Sequence, residues 1–411
     1  MHGTSSNART AVELDERYGA QNYLPLNLVV EHAEGVWLWD IDGKRYLDCI
    51  SAYSAVNQGH CHPRIVEAIA HQAATLDHAT LLGASNPAAE TLAERLCAIT
   101  GMDRAFFCGD GASAVEAAIK MAAQYWQNLG RPQRSRFVRL TDAYHGDTIG
   151  AMSVSDIGLF KGRFGELTFE TRALGDGTQL GPDVAAVIVE PIVQAAAGMR
   201  LVDPALYGEL RDMEPLLIVD EVATGFGRTG TMFAFEQTAL RPDILCVGKS
   251  ITGGTLALSC ALARRRVHDA FLGDYGASVH FFHGHSYAGN PIACAAALAS
   301  LDLFEEEATL ERVAGIARRA AARLDDLRKH PLVRDVRQAG AMIGVELHGD
   351  AVAPEGWPTA AWRIADRLYE AGHFTRPIGD VLQLVPPLCS SDSEIEAFFD
   401  ALDAILNRSR S

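Results

Sequence analysis

Several things are scarce in this 411-residue chain, and each scarcity excludes a class of protein. Basic side chains are few: 36 Lys and Arg face 52 Asp and Glu, a formal charge of −16. Such a surface repels phosphate backbones and anionic lipid, so nucleic acid and membrane surfaces are poor partners. No apolar run reaches the roughly 18 residues that a spanning helix needs. The opening MHGTSSNARTAVELDERYGA has neither a basic start nor an apolar core, which excludes a secretory signal and points to the cytoplasm. Eight cysteines (49, 61, 97, 108, 246, 260, 294 and 389) include no C-x-x-C pair, a pattern of small buried residues in a reducing compartment rather than of disulfides or structural zinc. Internal repeats, low-complexity tracts and charge blocks are also missing.

What remains is an ordinary globular composition, 48% hydrophobic, in a chain long enough for two or more packed units. Short, nearly continuous apolar stretches recur through the middle: RAFFCGD (104–110), RFVRLTDA (136–143), VAAVIVEP (184–191), LLIVDE (216–221), DILCVG (243–248) and LALSCALA (256–263). Helical patterns or loops intervene, which predicts an α/β fold with a mostly parallel sheet covered on both faces. From residue 291 a long amphipathic pattern predicts a connecting helix. Beyond it, VRDVRQAGAMIGVEL and FTRPIGDVLQLVPP read as strands, and SDSEIEAFFDALDAIL as a helix opened by a polar cap. With the strand pair in GVWLWDIDGKRYLDCI, this predicts a large domain over 56–304 and a small α+β domain built from 1–55 and 305–411.

Three strand ends carry chemistry. In DILCVGKSITGG, Gly-Lys-Ser resembles a phosphate loop, but Asp243 stands where that loop needs glycine and the residues between are strand-like. Lys249 is then either a cation reaching solvent from a strand end or a desolvated amine that attacks a carbonyl to form a Schiff base. CGDGASAVEAAIKMA places Gly109 and Gly111 in a turn before a helix, which is either a plain turn or an anion site of free N–H groups. Asp220 ends LLIVD, where it caps the next turn or faces a cationic group at the carboxyl edge of the sheet. Lysine for an aldehyde, cradle for a phosphate and carboxylate for a pyridine nitrogen together meet the needs of pyridoxal phosphate. Tyr144 in DAYHGDT is an aromatic for the ring face or for the core. The histidines of GHCHP and HFFHGHSYAGNP lack acidic or sulfur partners at metal-ligand spacing, so no metal is expected.

VDEVATGFGRTG, PDILCVGKSITGG, VEPIVQAAAGMR and GHSYAGNPIACAAALASL closely resemble the class III aminotransferases, fold-type I pyridoxal-phosphate enzymes, and the resemblance extends over nearly the whole chain. It implies that Lys249 carries the cofactor as a Schiff base and that Asp220 pairs with the pyridine nitrogen. Gly111 and Ala112 would offer N–H groups to the phosphate, and Tyr144 and His145 would line the ring. Ser286 falls where the family has a threonine that reaches the phosphate of the neighbouring subunit, which implies a homodimer with shared sites. Ala112 stands where relatives often have serine.

Two branches of the family compete for the substrate, which is a small-molecule amino donor with a keto acceptor. DAYHGDTIGAMSV, EPIVQAAAGM and TRPIGD look like 7,8-diaminopelargonate synthase, which aminates 8-amino-7-oxononanoate. YGAQNYLPLNLVVEHAEGVWLWD looks like ornithine δ-aminotransferase. The ornithine branch clamps a carboxylate with an arginine that a glutamate gates; here the matching residues are Gln383 and Ala196, and a charged fork is lost. Asp147 and Arg376 match the first branch, with Arg376 on the acceptor's distant carboxylate. Tyr53 and Ser54 replace that branch's paired tryptophans, and Tyr23 and Tyr53 match ornithine-branch tyrosines, which keeps a semialdehyde-forming ω-aminotransferase open. A racemase, aminomutase or decarboxylase on the same fold is a further alternative.

Overall fold

The computed structural model describes residues 6–20, 28–175, 180–211, 213–349 and 358–409. Its centre is a seven-stranded sheet in the order Arg104–Cys108, Ser259–Ala263, Ile244–Val247, Leu216–Asp220, Val184–Val189, Arg136–Arg139, Thr171–Ala173. Ser259–Ala263 runs antiparallel to both neighbours and the other pairings are parallel. Val184–Val189, Leu216–Asp220 and Ile244–Val247 are buried at every residue, as continuous apolar strands covered on both faces must be. Because the parallel strands point one way, their following loops collect at one edge.

Gly111–Asn128 forms a helix on one face of this sheet, with Ala114, Val115, Ala118, Ile119 and Ala122 buried against it. Asp110 caps its start, its carboxylate accepting from Ser113 N–H at 3.0 Å. On the other face, Pro87–Thr100 and Pro291–Glu306 pack over the same strands.

The connecting segment is two helices rather than one. Pro291–Glu306 ends at three successive glutamates, 305–307, whose charges oppose the negative end of the helix dipole, and Ala308 turns the chain at φ +50°. Thr309–Leu327 then buries Val313, Ile316, Ala320 and Leu324 in a separate apolar cluster with Ile395, Phe398, Phe399 and Leu402 of Asp392–Arg408. Ser391 opens that last helix with a capping box to Glu394. VRDVRQAGAMIGVEL proves to be a hairpin, Val333–Ala339 with Met342–Leu347, and Val381–Leu384 pairs alongside. In FTRPIGDVLQLVPP only Phe374, which ends the strand His373–Phe374, and Val381–Leu384 are strand, so Arg376 lies on the loop between them. His373–Phe374 joins Arg45–Asp48, Trp37–Asp40 and Val30–Glu34 in a four-stranded sheet, tying the beginning of the chain to its end.

Candidate active site

A cavity of about 1460 Å³ opens at the carboxyl edge of the seven-stranded sheet, and Gly111, Ala112, Tyr144, His145, Glu190, Asp220 and Lys249 all line it. Parallel pairing explains the convergence. Asp220 lies in register with Cys246, three residues before Lys249, so the two strand ends deliver them side by side.

Lys249 begins a short 3-10 turn with φ +45°, a conformation that costs a side-chain-bearing residue about 1–2 kcal/mol. Strain of this kind gathers at functional sites. Burial pushes its amine's pKa down, opposed by the charges of Asp220 and Glu190 and reinforced by Arg228. An amine so placed is more readily neutral, as a nucleophile must be. Gly254, at φ +82°, passes against the Ala55–Val56 backbone, where a Cβ would lie 2.6 Å from Ala55 C.

Asp220 takes both roles open to it in the sequence. Oδ1 accepts from Val222 N–H at 3.0 Å, capping the turn, while Oδ2 lies 2.7 Å from His145 Nδ1. A carboxylate only accepts, so His145 carries its proton on Nδ1. Its Nε2 is buried and has no hydrogen-bond partner among the described residues. The His145–Asp220 pair carries no signature in sequence spacing, since 75 residues separate its members.

Glu190 is the site residue that the sequence reading did not single out, although its signal matches that of Asp220: a carboxylate ending an apolar strand. It is 4% exposed, accepts from Tyr144 N–H at 3.0 Å, and burial pushes its pKa up to about 7 against the pull of His145. It thereby fixes the backbone that carries Tyr144, whose ring packs on Phe160 at 5.3 Å between centroids.

The helix at Gly111 supplies the anion end. Its cap engages Ser113 N–H and Ala114 N–H, leaving those of Gly111 and Ala112 outside the cap at the cavity wall. Gly146, at φ +126°, lets the His145 loop pass this turn, since a Cβ there would lie 2.5 Å from that of Ala112. Unused N–H groups, a desolvated lysine, a buried carboxylate and an orphaned imidazole nitrogen within one cavity fit a phosphorylated pyridine aldehyde.

The opposite wall is different in kind. Arg376 stacks over the ring of Tyr53, 4.9 Å from guanidinium carbon to ring centroid, and both line the cavity with Asp147, Ala196, Gln383, Trp362 and Ile378. Gln383 Nε2 donates to the Arg376 carbonyl at 2.8 Å, bracing the loop that carries Arg376. Tyr53 sits on a left-handed turn, Ser51–Ser54, with φ between +46° and +66° at four successive residues. None of the four is glycine or asparagine, so no sequence signal announced the turn. Tyr23 lies outside the described residues. Ser286 is exposed and does not line this cavity; its carbonyl accepts from His78 Nε2 at 2.8 Å. His60 pairs with Asp48 at 2.8 Å and His62 with Glu307 at 2.9 Å, so the two histidines of GHCHP turn to different carboxylates.

Known proteins extend these observations. A protein of *Aquifex aeolicus* named adenosylmethionine-8-amino-7-oxononanoate aminotransferase is 42% identical, with 92% of this chain and 91% of that protein aligned. The crystal structure of the *Methanocaldococcus jannaschii* protein of that name superposes with a TM-score of 0.91 at 36% identity, covering 98% of this chain and all of that one. An amine transaminase from an uncultivated *Pseudomonas* species, solved in its pyridoxal-phosphate-bound form, gives 0.85 at 33% identity, covering 95% and 97%. The model of the family described as aminotransferase class-III matches residues 18–406, and with the strand-end lysine and aspartate facing one cavity, the chain belongs to the class III aminotransferases.

Proposed function

We propose that the chain is a pyridoxal-phosphate-dependent transaminase that moves an amino group from a small donor amine onto the keto group of 8-amino-7-oxononanoate or a similar ω-functionalised keto acid. The observation that carries this reading is the placement of Arg376, stacked on Tyr53 and braced by Gln383, across the cavity that holds Lys249. An acceptor whose ketone meets Lys249 would present its distant carboxylate to that guanidinium, with apolar walls between. Neutral Gln383 and Ala196 argue against the ornithine-type alternative, because neither supplies the charged clamp and gate. The names of the two 8-amino-7-oxononanoate aminotransferases support the same choice.

Bound pyridoxal phosphate supplies an aldehyde for the amine and a conjugated ring that withdraws electrons from the substrate carbon. The chain does the rest. Gly111 and Ala112 N–H groups would hold the phosphate, Tyr144 would cover a ring face, and Asp220, oriented by His145 and Val222, would offer its carboxylate to the pyridine nitrogen. Lys249 Nζ holds the aldehyde at rest. Kept more readily neutral by burial, the Lys249 amine would be free to take the proton from the donor carbon and to return it, across the nitrogen, to the carbon that carried the aldehyde. The chain's residues 56–304 form the cofactor-binding unit and 1–55 with 305–411 the unit that brings Arg376. Two copies pair with shared sites in the cytoplasm, with exposed Ser286 reaching the partner's phosphate.

A half-reaction screen tests the reading. The loaded protein is mixed in turn with S-adenosylmethionine, lysine, ornithine, glutamate and alanine and followed by absorbance. The amine-loaded form is then offered 8-amino-7-oxononanoate. Production of an aldehyde trapped by o-aminobenzaldehyde, with no consumption of the keto acid, would transfer support to the ornithine-type alternative.

A further inference from the structure

We infer that Arg228, Asp48 and Ser51 act as positioning residues for acceptor selectivity, clamping the left-handed turn that holds Tyr53 beneath Arg376. The inference rests on the reading that Arg376 receives the acceptor's carboxylate. Arg228 is wholly buried and forms no ion pair among the described residues; its guanidinium is spent on the backbone of two distant segments. Nη2 donates to the Val56 carbonyl at 2.9 Å, closing the turn from behind, and Nη1 donates to the Pro386 carbonyl at 2.6 Å, just past the strand that carries Gln383. Nη1 also reaches Ser51 Oγ at 3.4 Å, and that hydroxyl donates to the Val385 carbonyl at 2.5 Å. Asp48 Oδ1 accepts from Ile50 N–H at 3.0 Å and Ser51 N–H at 2.8 Å, while its Oδ2 is held by His60. Ser250 Oγ, beside Lys249, donates to the Ser54 carbonyl at 2.8 Å.

The turn is thus pinned at its start by Asp48, at its side by Ser51, at its end by Arg228, and to the lysine loop by Ser250. A planar guanidinium serves two carbonyls at once, which an ammonium on a flexible stem does not do equally. Four residues of unfavourable backbone stay in place only because the surroundings overdetermine them, and their product is the fixed height of the Tyr53 ring under Arg376. Gln383 donates to the backbone carbonyl of the same arginine. The two backbone segments that Arg228 joins therefore each carry a residue that contacts Arg376: Tyr53 its guanidinium and Gln383 its carbonyl.

The test compares keto acceptors of one chain length that end in a carboxylate or in a methyl group, using wild type, Ser51→Ala, Arg228→Lys and Arg376→Ala. Melting temperature and the donor half-reaction are measured alongside. Ser51→Ala is expected to lower the preference for the carboxylate acceptor about tenfold through KM, with kcat and the donor half-reaction unchanged, and Arg228→Lys to lower it further. Should Arg228→Lys fail to fold, Ser51→Ala decides alone, because the Asp48 bonds to the turn survive it. An unchanged preference in Ser51→Ala, while Arg376→Ala abolishes it, overturns the clamp and leaves the carboxylate reading intact. A wild type with no preference for the carboxylate overturns that reading and the clamp with it.

Discussion

The two walls of the cavity were made by different means. The cofactor wall is a row of strand ends: Asp220, Glu190, Lys249 and the turn at Gly111 each end or follow an apolar strand of one sheet, and parallel pairing sets the spacing of the first three. The acceptor wall has no such scaffold. Tyr53 stands on a left-handed turn and Arg376 on a loop between short strands, and they meet where Arg228 binds backbone 158 and 172 residues away while Gln383 binds the Arg376 carbonyl. A sheet edge holds reactive groups with little help from side chains, whereas a loop-built wall depends on every buried hydrogen bond beneath it. Chemistry common to a family sits well on the first, and selectivity among substrates on the second.

Lys249→Ala should give the largest effect, a fall in kcat of about 10³-fold or more, because in the proposed function it removes both the carbonyl-binding amine and the proton carrier. Steady-state turnover checks this, and borohydride reduction of the loaded wild type should leave a stable mass adduct on the peptide containing Lys249. A variant that still turned over donor amine at the wild-type rate would dissolve the distinction between the walls.

Glu190→Gln probes the cofactor wall through pH. Glu190 is raised from 4.5 to about 7 by burial, so between these values the folded chain binds a proton that the unfolded chain releases. Its contribution to stability is full below about pH 4.5 and is lost as pH rises through about 7. Replacing it should flatten that dependence by roughly 3 kcal/mol, read by denaturant melts at several pH values. Glu221, raised to about 7 by the same cause and hydrogen-bonded to Ala234 and Phe235 N–H, keeps part of the slope in the variant.

On the acceptor wall, Arg376→Ala should cost about 2 kcal/mol, roughly a 30-fold rise in KM for the carboxylate acceptor, the usual worth of a charge-assisted hydrogen bond. The donor half-reaction should not change. Ser391→Ala, far from both walls, should lower stability by only about 1 kcal/mol through loss of the capping box and leave KM and kcat untouched. That variant sets the scale on which a purely structural loss is judged.

Much of the cofactor wall was legible from the sequence. The apolar strands, the Gly111 turn with its helix, Asp220 and Lys249 announce themselves through local composition, and the boundaries fall within a few residues of the expected ones. Glu190 carried the same signal and was passed over. The single connecting helix was misread because apolar periodicity runs on through 307–308, whereas three glutamates and the left-handed Ala308 stop it. The acceptor wall was legible only as residue identities. That Arg376 rests on Tyr53, and that Gln383 braces it rather than replacing a clamp, are contacts with no periodic or spacing signature.

By itself, then, the sequence determined the elements and the reactive groups at their ends, because hydrophobic period and turn chemistry are properties of neighbouring residues. Only the tertiary structure decided which groups face one another. The His145–Asp220 bond, the pinned turn at Ser51–Ser54 and the height of Tyr53 under Arg376 each join segments 75 to more than 300 residues apart. Such contacts exist once the core has packed and burial makes an unpaired polar group costly, which no local pattern encodes.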